Sequence, residues 1–314
     1  MSSRETGIKR AFAFLSIVAL WLAAAAAPVS AHPVADEIRR TAVVSAFPPE
    51  LAVLAAELED ATSRSINGVE FLTGKLAGSN VVLFLSGIST VNAAMTVQLA
   101  LDHFAVERIV FSGIAGGVDP DLEIGDVTIV ERWGQYLETV FARKVGDGWE
   151  KPSFFEYPYA GFGMMFPRSV TVSRAGSTQS ETRFWFPVDE TMIDHARQAA
   201  QRVELIRCTD DDQCLPRTPK VVIGGSGISG SAFVDNAEFR NYAFRTFGAR
   251  VLDMESAAVA HVAWANDVPF IAIRSLSDLA GGSGKANQIE IFFRLASNNA
   301  ARVVMSLLRD MAGG

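Results

Sequence analysis

Short apolar runs alternate along this chain with stretches whose apolar positions recur every three or four residues. Thr41 to Ala46 is an apolar run that predicts a strand, broken by Phe47-Pro48-Pro49. Glu50 then opens the segment ELAVLAAELEDA, which has a helical period. Proline suits the first turn of a helix, and an acid suits its positive end. Val69 to Leu76 predicts a hairpin strand. Val81 to Leu85 has no polar side chain, as in strands buried on both faces. Gly87 ends that run, and Thr90 to Phe104 predicts a helix. Ile109 to Phe111 predicts a further strand, running into a glycine loop, SGIAGG.

The second half follows the same rhythm. Val127 to Val130 predicts a strand, Glu190 to Val203 a helix, and Lys220 to Gly225 a strand before a glycine-serine turn, GGSGISGSAF. Asn236 to Phe247 predicts a helix. Val251 to Asp278 reads as a strand end, a helix and a buried strand, and a last helix covers Ile289 to Met311. Alternating strands and helices predict a mixed or parallel sheet flanked by helices. Residues 133–187 and 206–219 read as elaborated loops of one domain spanning 32–314.

The first 31 residues break the pattern. Arg4, Lys9 and Arg10 precede an uncharged run from Ala11 to Ala27, followed by Val29-Ser30-Ala31. That order predicts a signal peptide cleaved after Ala31, and hence export, in a bacterium to the periplasm. A retained membrane anchor is the alternative, since the run is close to the shortest helix that spans a bilayer. No later run is long enough to span. Formal net charge is −7, and losing the leader's three basic residues and one acid leaves −9. An acidic chain with no basic stripe argues against nucleic-acid or anionic-membrane binding.

Export also bears on the cysteines. Cys208 and Cys214 bracket CTDDDQC with no His or further Cys nearby, so a local disulfide is expected rather than a metal site. His103, His195 and His261 are scattered and form no metal motif, and no metal or other cofactor is expected. No Lys-Ser/Thr follows the glycine loop, so it is no phosphate-binding P-loop. Ser226 in GGSGIS lacks an evident His partner for hydrolase chemistry.

The chemistry-bearing candidates are carboxylates at element junctions. Asp278 follows the apolar run Pro269–Ile273, where desolvation raises a carboxyl pKa and suits it to proton donation; a capping role is the alternative. Glu255 and Glu50 stand at helix starts, where a carboxylate is ordinary. Arg274 sits inside an apolar strand and needs an acidic partner or an anionic ligand. Phe233 follows the glycine-serine turn, placed either for stacking on a flat ring or for the core. Gly113, Gly116 and Gly117 permit close approach of backbone to a ligand.

Together TAVVSAFPPEL, VVLFLSGISTVNAA, IVFSGIAGGVDPDLEIGDV, SGSAFVDN, VLDMESAAVAHVA and VPFIAIRSLSD resemble the nucleoside phosphorylase/nucleosidase superfamily. Within it they are most similar to methylthioadenosine/S-adenosylhomocysteine nucleosidases and to exported, storage-protein-like relatives. The resemblance runs from about residue 41 to 278 and leaves out 133–187. It implies a three-layer α/β/α fold around a central mixed sheet, no cofactor, and a homo-oligomer. It implies hydrolysis of the N-glycosidic bond of a purine nucleoside, of the adenosine, inosine, methylthioadenosine or S-adenosylhomocysteine type. By motif, Asp278 protonates the purine, with Ser277 supporting its carboxyl group. Phe233 stacks on the base, and the Val234 backbone reads its edge. Met254 packs on the sugar, Glu255 grips the ribose hydroxyls, and Ala115 and Gly116 place backbone against the substrate. Glu50 activates water, with Arg274 organising that end; Phe292 or Phe293 lines the 5′ side.

Two positions depart from that pattern. Ile114 stands where the nucleosidases carry a small hydroxyl residue, and 133–187 leaves the pocket lid open. A phosphate-dependent phosphorylase remains the alternative through Arg274 and Ser89, although SAFPPE lacks that branch's Gly-Asp-Pro and arginines. A nucleoside-binding or storage protein with little turnover is the third reading.

Overall fold

Strand β5 (Val106–Gly117) is the axis of the molecule, and its burial follows from its place between two neighbours. The computed structural model describes residues 37–282 and 286–313, so the expected signal segment lies outside the described residues. β5 pairs in parallel with β1 (Arg40–Ser45) on one side and with β18 (Phe270–Asp278) on the other. β1 continues the sheet to β4 (Ser79–Leu85), β3 (Val69–Leu76) and β2 (Glu59–Ile66). In the other direction the far end of β5 pairs with β17 (Ala249–Asp253) in antiparallel fashion. From there the sheet runs through β16 (Ser226–Ser229) and β7 (Arg132–Gln135) to β14 (Trp185–Pro187). β6 (Val127–Ile129) joins β18 to β15 (Val221–Ile223), completing twelve strands.

Helices cover this mixed sheet in the three-layer α/β/α arrangement. α1 (Pro48–Ala56), α3 (Glu190–Ala200) and α6 (Ile289–Gly313) pack together, as do α2 (Thr90–His103) and α5 (Ser256–Ala265). α4 (Ala237–Phe247) lies against β17. The core between layers is aliphatic, with Val44, Leu83, Val110, Ile273, Val259 and Val304 fully buried. Among the described residues no helix is long and apolar enough to cross a membrane.

Several boundaries differ from the sequence expectation. The first helix stops at Ala56, and Glu59–Ile66 is a strand. That strand is exposed on both faces, so it carries no apolar alternation. Its hairpin is set by Asn67 and Gly68, both at positive φ, as a two-residue turn between twisted strands requires. The expected glycine loop at 113–117 is the buried second half of β5. The expected glycine-serine turn contains β16, where the Trp133 ring lies so close to Gly227 that a Cβ would sit 2.6 Å from it. Asp278 ends a buried strand, as expected.

Region 133–187 is more ordered than a loop. β7 and β14 complete the sheet edge. Between them β8 (Thr139–Phe141) pairs with β11 (Met165–Pro167), β9 (Arg143–Val145) with β10 (Gly148–Glu150), and β12 (Val170–Val172) with β13 (Glu181–Arg183). Its aromatic residues form a second core with α4: Tyr136, Phe184, Phe239, Tyr242 and Phe247 are all buried.

Cys208 and Cys214 form the expected disulfide. The segment beyond it is tied down by a charge pair: both carboxylate oxygens of buried Asp126 accept from Arg217, at 2.8 and 2.5 Å, and Oδ1 also accepts from the Lys220 amide. Asp126 is fully buried, so its charge depends on these donors. Asp126→Asn is expected to cost about 3 kcal/mol, read as a lower urea midpoint at unchanged slope; an unaltered midpoint would show that the pair is energetically silent.

Candidate active site

Strand β18 carries an arginine into the core, and the site grows from that fact. Arg274 is fully buried. A desolvated guanidinium is tolerated only among acids, and three carboxylates converge on it. Nε lies 2.7 Å from Asp253 Oδ2 and donates to Ser256 Oγ at 2.9 Å. Nη2 donates to Glu255 Oε2 at 3.5 Å, and Nη1 lies 4.0 Å from Glu50 Oε1. The guanidinium carbon stands 4.0 Å from the centre of the Phe111 ring, which adds a cation–π contact. Gly113 permits this arrangement: a Cβ there would overlap Nη1 and come within 2.6 Å of Glu50 Oε1.

Each carboxylate is fixed by local backbone. Glu50 folds back on the N-terminus of α1, where Oε2 accepts from the Ala46 and Phe47 amides at 2.7 and 3.2 Å. Its other oxygen accepts from the Ile114 amide at 2.8 Å, joining α1 to β5. Asp253 Oδ1 accepts from Ser229 Oγ at 2.5 Å and from the amides of Glu255 and Ser256, so it starts helix α5. Glu255 Oε1 accepts from the Ser89 amide at 2.8 Å.

Asp278 belongs to a separate constellation on the same strand. Between Leu276 and Asp278 the pairing of β18 with β5 shifts by one residue, with Ser277 as the extra one. Such a bulge turns the following side chain out of its regular alternation. Asp278 Oδ1 accepts from the Ala280 amide at 2.8 Å, and Oδ2 accepts from Ser277 Oγ at 3.0 Å.

A cavity of about 220 Å³ connects the two constellations, a small-molecule scale. Glu50, Glu255, Asp278, Ser277, Met254, Phe233, Val234, Ala115 and Gly116 all line it, as the sequence motifs imply. Arg274 is the exception among the candidates: it lies behind the wall and acts through the acids. Phe233 is 58% exposed, which excludes the core alternative and leaves its ring free over the opening. Neither Phe292 nor Phe293 lines the cavity. Phe292 is buried beside Ile124, Leu215 and Leu295, and Phe293 stands beside Phe47; Ile289, one turn earlier on α6, faces the cavity instead. No residue of 133–187 lines it, so the insert is not its lid.

Sequence reasoning missed Asp253, Phe47, Ile88 and Ile289. The run VLD ahead of MES held the signal for Asp253, an acid ending a strand whose last three residues are all buried.

Burial governs the proton affinities. It pushes the Glu255 carboxyl up to about 7; Arg274 and the Ser89 amide oppose this, and Asp253 and Glu50 add to it. Burial also raises Glu50, against Arg274 and three backbone amides. Asp278 is raised by burial, against the Ala280 amide and the Ser277 hydroxyl. At Glu255 the neighbouring acids add to the effect of burial, so that carboxyl group holds a proton that an isolated one would lose.

An acid-lined cavity where the parallel strands of an α/β/α sheet end defines a small-molecule site, of the kind this class builds at its strand termini. The chain belongs to the phosphorylase superfamily, whose family model matches residues 40–309. It is 30% identical over 275 residues to the 5′-methylthioadenosine/S-adenosylhomocysteine nucleosidase of Geobacillus kaustophilus, covering 87% of this chain and 97% of that one. It is also 27% identical over 251 residues to bark storage protein B of Populus deltoides, covering 76% and 77% respectively. Among solved structures, the Colwellia psychrerythraea methylthioadenosine/S-adenosylhomocysteine nucleosidase in complex with adenine superposes with a TM-score of 0.65 at 25% identity, covering 88% of this chain and 97% of that one.

The raised Glu255 pKa has a defined sign. The folded state binds this proton more tightly than the unfolded chain, so its stabilising effect is complete below the ordinary value of 4.5 and is lost as pH rises to about 7. Glu50 and Asp278 act in the same sense. Stability is expected to fall between pH 5 and 8, with a share on the order of 2 kcal/mol from Glu255. Glu255→Gln should flatten the profile of urea midpoint against pH. An equally steep decline in the variant would assign it elsewhere.

Proposed function

We propose that this chain is an exported N-glycosyl hydrolase that releases the base from a purine nucleoside. One observation carries the reading. A buried acid poised to donate a proton and a buried, arginine-backed carboxylate line the same cavity, in a chain whose relatives include methylthioadenosine/S-adenosylhomocysteine nucleosidases. The substrate class is the one those relatives' names carry, adenine nucleosides with a 5′-thio substituent. Phe47, Ile88, Ile114 and Ile289 supply apolar cavity wall for such a group.

In the reaction the purine lies against Phe233, with the Val234 backbone at its edge. Asp278, kept protonated by burial, gives its proton to the ring nitrogen as the glycosidic bond breaks. The bonding electrons leave with the base, and the sugar develops oxocarbenium character. The Asp278 carboxylate left behind is held by the Ala280 amide and the Ser277 hydroxyl. Met254 packs on the sugar, and Glu255 accepts from its hydroxyls. Glu50 takes a proton from water as the oxygen bonds to the anomeric carbon, and Arg274 steadies the resulting charge. Stabilising a departing base and a cationic sugar from opposite ends is differential binding of the transition state.

Water, not phosphate, suits the attacking position. Arg274 is already faced by Glu50, Asp253 and Glu255, so a phosphate dianion there would meet three acids. Ile114 places an aliphatic side chain on the wall beside Glu50, leaving Glu50 to hold the water with Arg274 behind it. Residues 1–31 support export, and release of purine outside the cytoplasm would serve base salvage.

The test is base release from adenosine, inosine, methylthioadenosine and S-adenosylhomocysteine, with and without phosphate. Free base and free sugar should form at a rate indifferent to phosphate. Asp278→Asn should lower kcat by about 10²-fold or more without lowering Tm; Glu50→Gln should lower kcat as far and also lower Tm, because it takes a partner from buried Arg274. Sugar 1-phosphate formed only with phosphate would make the protein a phosphorylase. Tight nucleoside binding without turnover would move it to the storage role of its Populus relative.

A further inference from the structure

Ser89 adopts a backbone conformation that serine avoids. Its φ is 84° and its ψ 158°, a region populated almost only by glycine. Gly87, two residues earlier, also has positive φ, but there no Cβ opposes it. A side chain at position 89 therefore strains the fold, and strain of this kind persists where surrounding contacts enforce it.

Those contacts join three parts of the cavity. The Ser89 amide donates to Glu255 Oε1 at 2.8 Å. Its hydroxyl donates to Ser231 Oγ at 2.7 Å, and Ser231 Oγ lies 2.7 Å from Thr90 Oγ1. Ser231 immediately precedes Ala232, Phe233 and Val234, which form the base-side wall, and Ile88 on the other side of Ser89 lines the cavity. Ser89 makes no side-chain cap on its own helix α2. Its hydroxyl is turned across the cavity rim to the facing segment.

We infer that Ser89 is a positioning residue: its strained backbone and its hydroxyl bond to Ser231 clamp the sugar-side carboxylate Glu255 to the base-side wall at Phe233. The inference rests on the nucleoside reading of the cavity and adds to it a residue that trades stability for substrate affinity. Glycine at this position would relax the backbone, but it would remove the hydroxyl that donates to Ser231 Oγ and leave Thr90 Oγ1 as that turn's remaining contact with Ser231. The clamp touches neither Asp278 nor Glu50, so it acts on binding and leaves the chemical step alone.

The test is a pair of variants with opposed effects. Ser89→Gly should raise Tm by a few degrees while raising KM about three- to tenfold, the scale of one hydrogen bond, with kcat within twofold. Ser231→Ala, which leaves the backbone at 89 untouched, should reproduce the KM rise without the gain in Tm. A residue with a merely structural role would move stability and affinity in the same direction. Calorimetric titration of 5′-methylthioadenosine into both variants, each in an Asp278→Asn background, reads affinity independently of turnover. Parent-like affinity in both variants overturns the clamp and leaves the nucleosidase reading standing. A parent protein that binds no nucleoside overturns both.

Discussion

A single buried guanidinium organises this protein. Arg274 has no access to solvent, and its charge must be met by acids that the chain brings from separate places. Glu50 comes from the first turn of α1, and Asp253 and Glu255 from the junction of β17 and α5. Each acid also fastens backbone around it: Glu50 joins α1 to β5 through the Ile114 amide, Asp253 starts α5, and Glu255 holds the turn before α2. Removing a partner from such a cluster leaves an uncompensated charge, which costs far more than the pair contributes. The same residues that compensate Arg274 surround the cavity, so site and scaffold rest on one electrostatic constraint.

That constraint explains why the acids hold protons tightly. Burial in a poorly solvated space raises both Glu50 and Glu255 against the pull of Arg274, and at Glu255 the neighbouring Asp253 and Glu50 add to the rise. A base with a raised pKa is stronger once ionised, which is useful for taking a proton from water near neutral pH. The separate Asp278 constellation is raised by burial as well, which suits the proton donation proposed for it. The two ends of the cavity thus use one physical effect for two roles.

The legible features of the sequence were those whose residue types conflict with their surroundings. Arg274 in an apolar run and Asp278 after a buried strand stood out, Glu50 and Glu255 read as ordinary helix starts, and the family motifs assembled all four. The illegible features lacked such a conflict. Glu59–Ile66 is a strand without a buried face, so nothing in EDATSRSI alternates. Gly113–Gly117 and Ser226–Ser229 read as loops because glycine disfavours strands in general, yet both segments are buried where a side chain would collide with Arg274 or Trp133. Choosing Phe292 or Phe293 over Ile289 was an error of helical phase, which only the packing of α6 on Leu215 and Ile124 determines.

The least family-like region illustrates how a cavity is supported from behind. Residues 133–187 contribute no wall to the cavity, yet the Tyr136 ring packs at a tilt against Phe239, and Val234 packs on the same aromatic cluster. Tyr136 also donates to the Ala232 carbonyl at 3.4 Å, directly beneath the base-side wall. On the other side the residues flanking the Cys208–Cys214 disulfide include Ile206 and Leu215, which pack with Phe292, Leu295 and Leu279; Leu279 adjoins Asp278. Both elaborations therefore press on segments that carry cavity residues, one through tilted aromatic packing and the other through apolar residues either side of a disulfide. Variation in these regions can alter how firmly the cavity is held without changing any residue that a substrate touches.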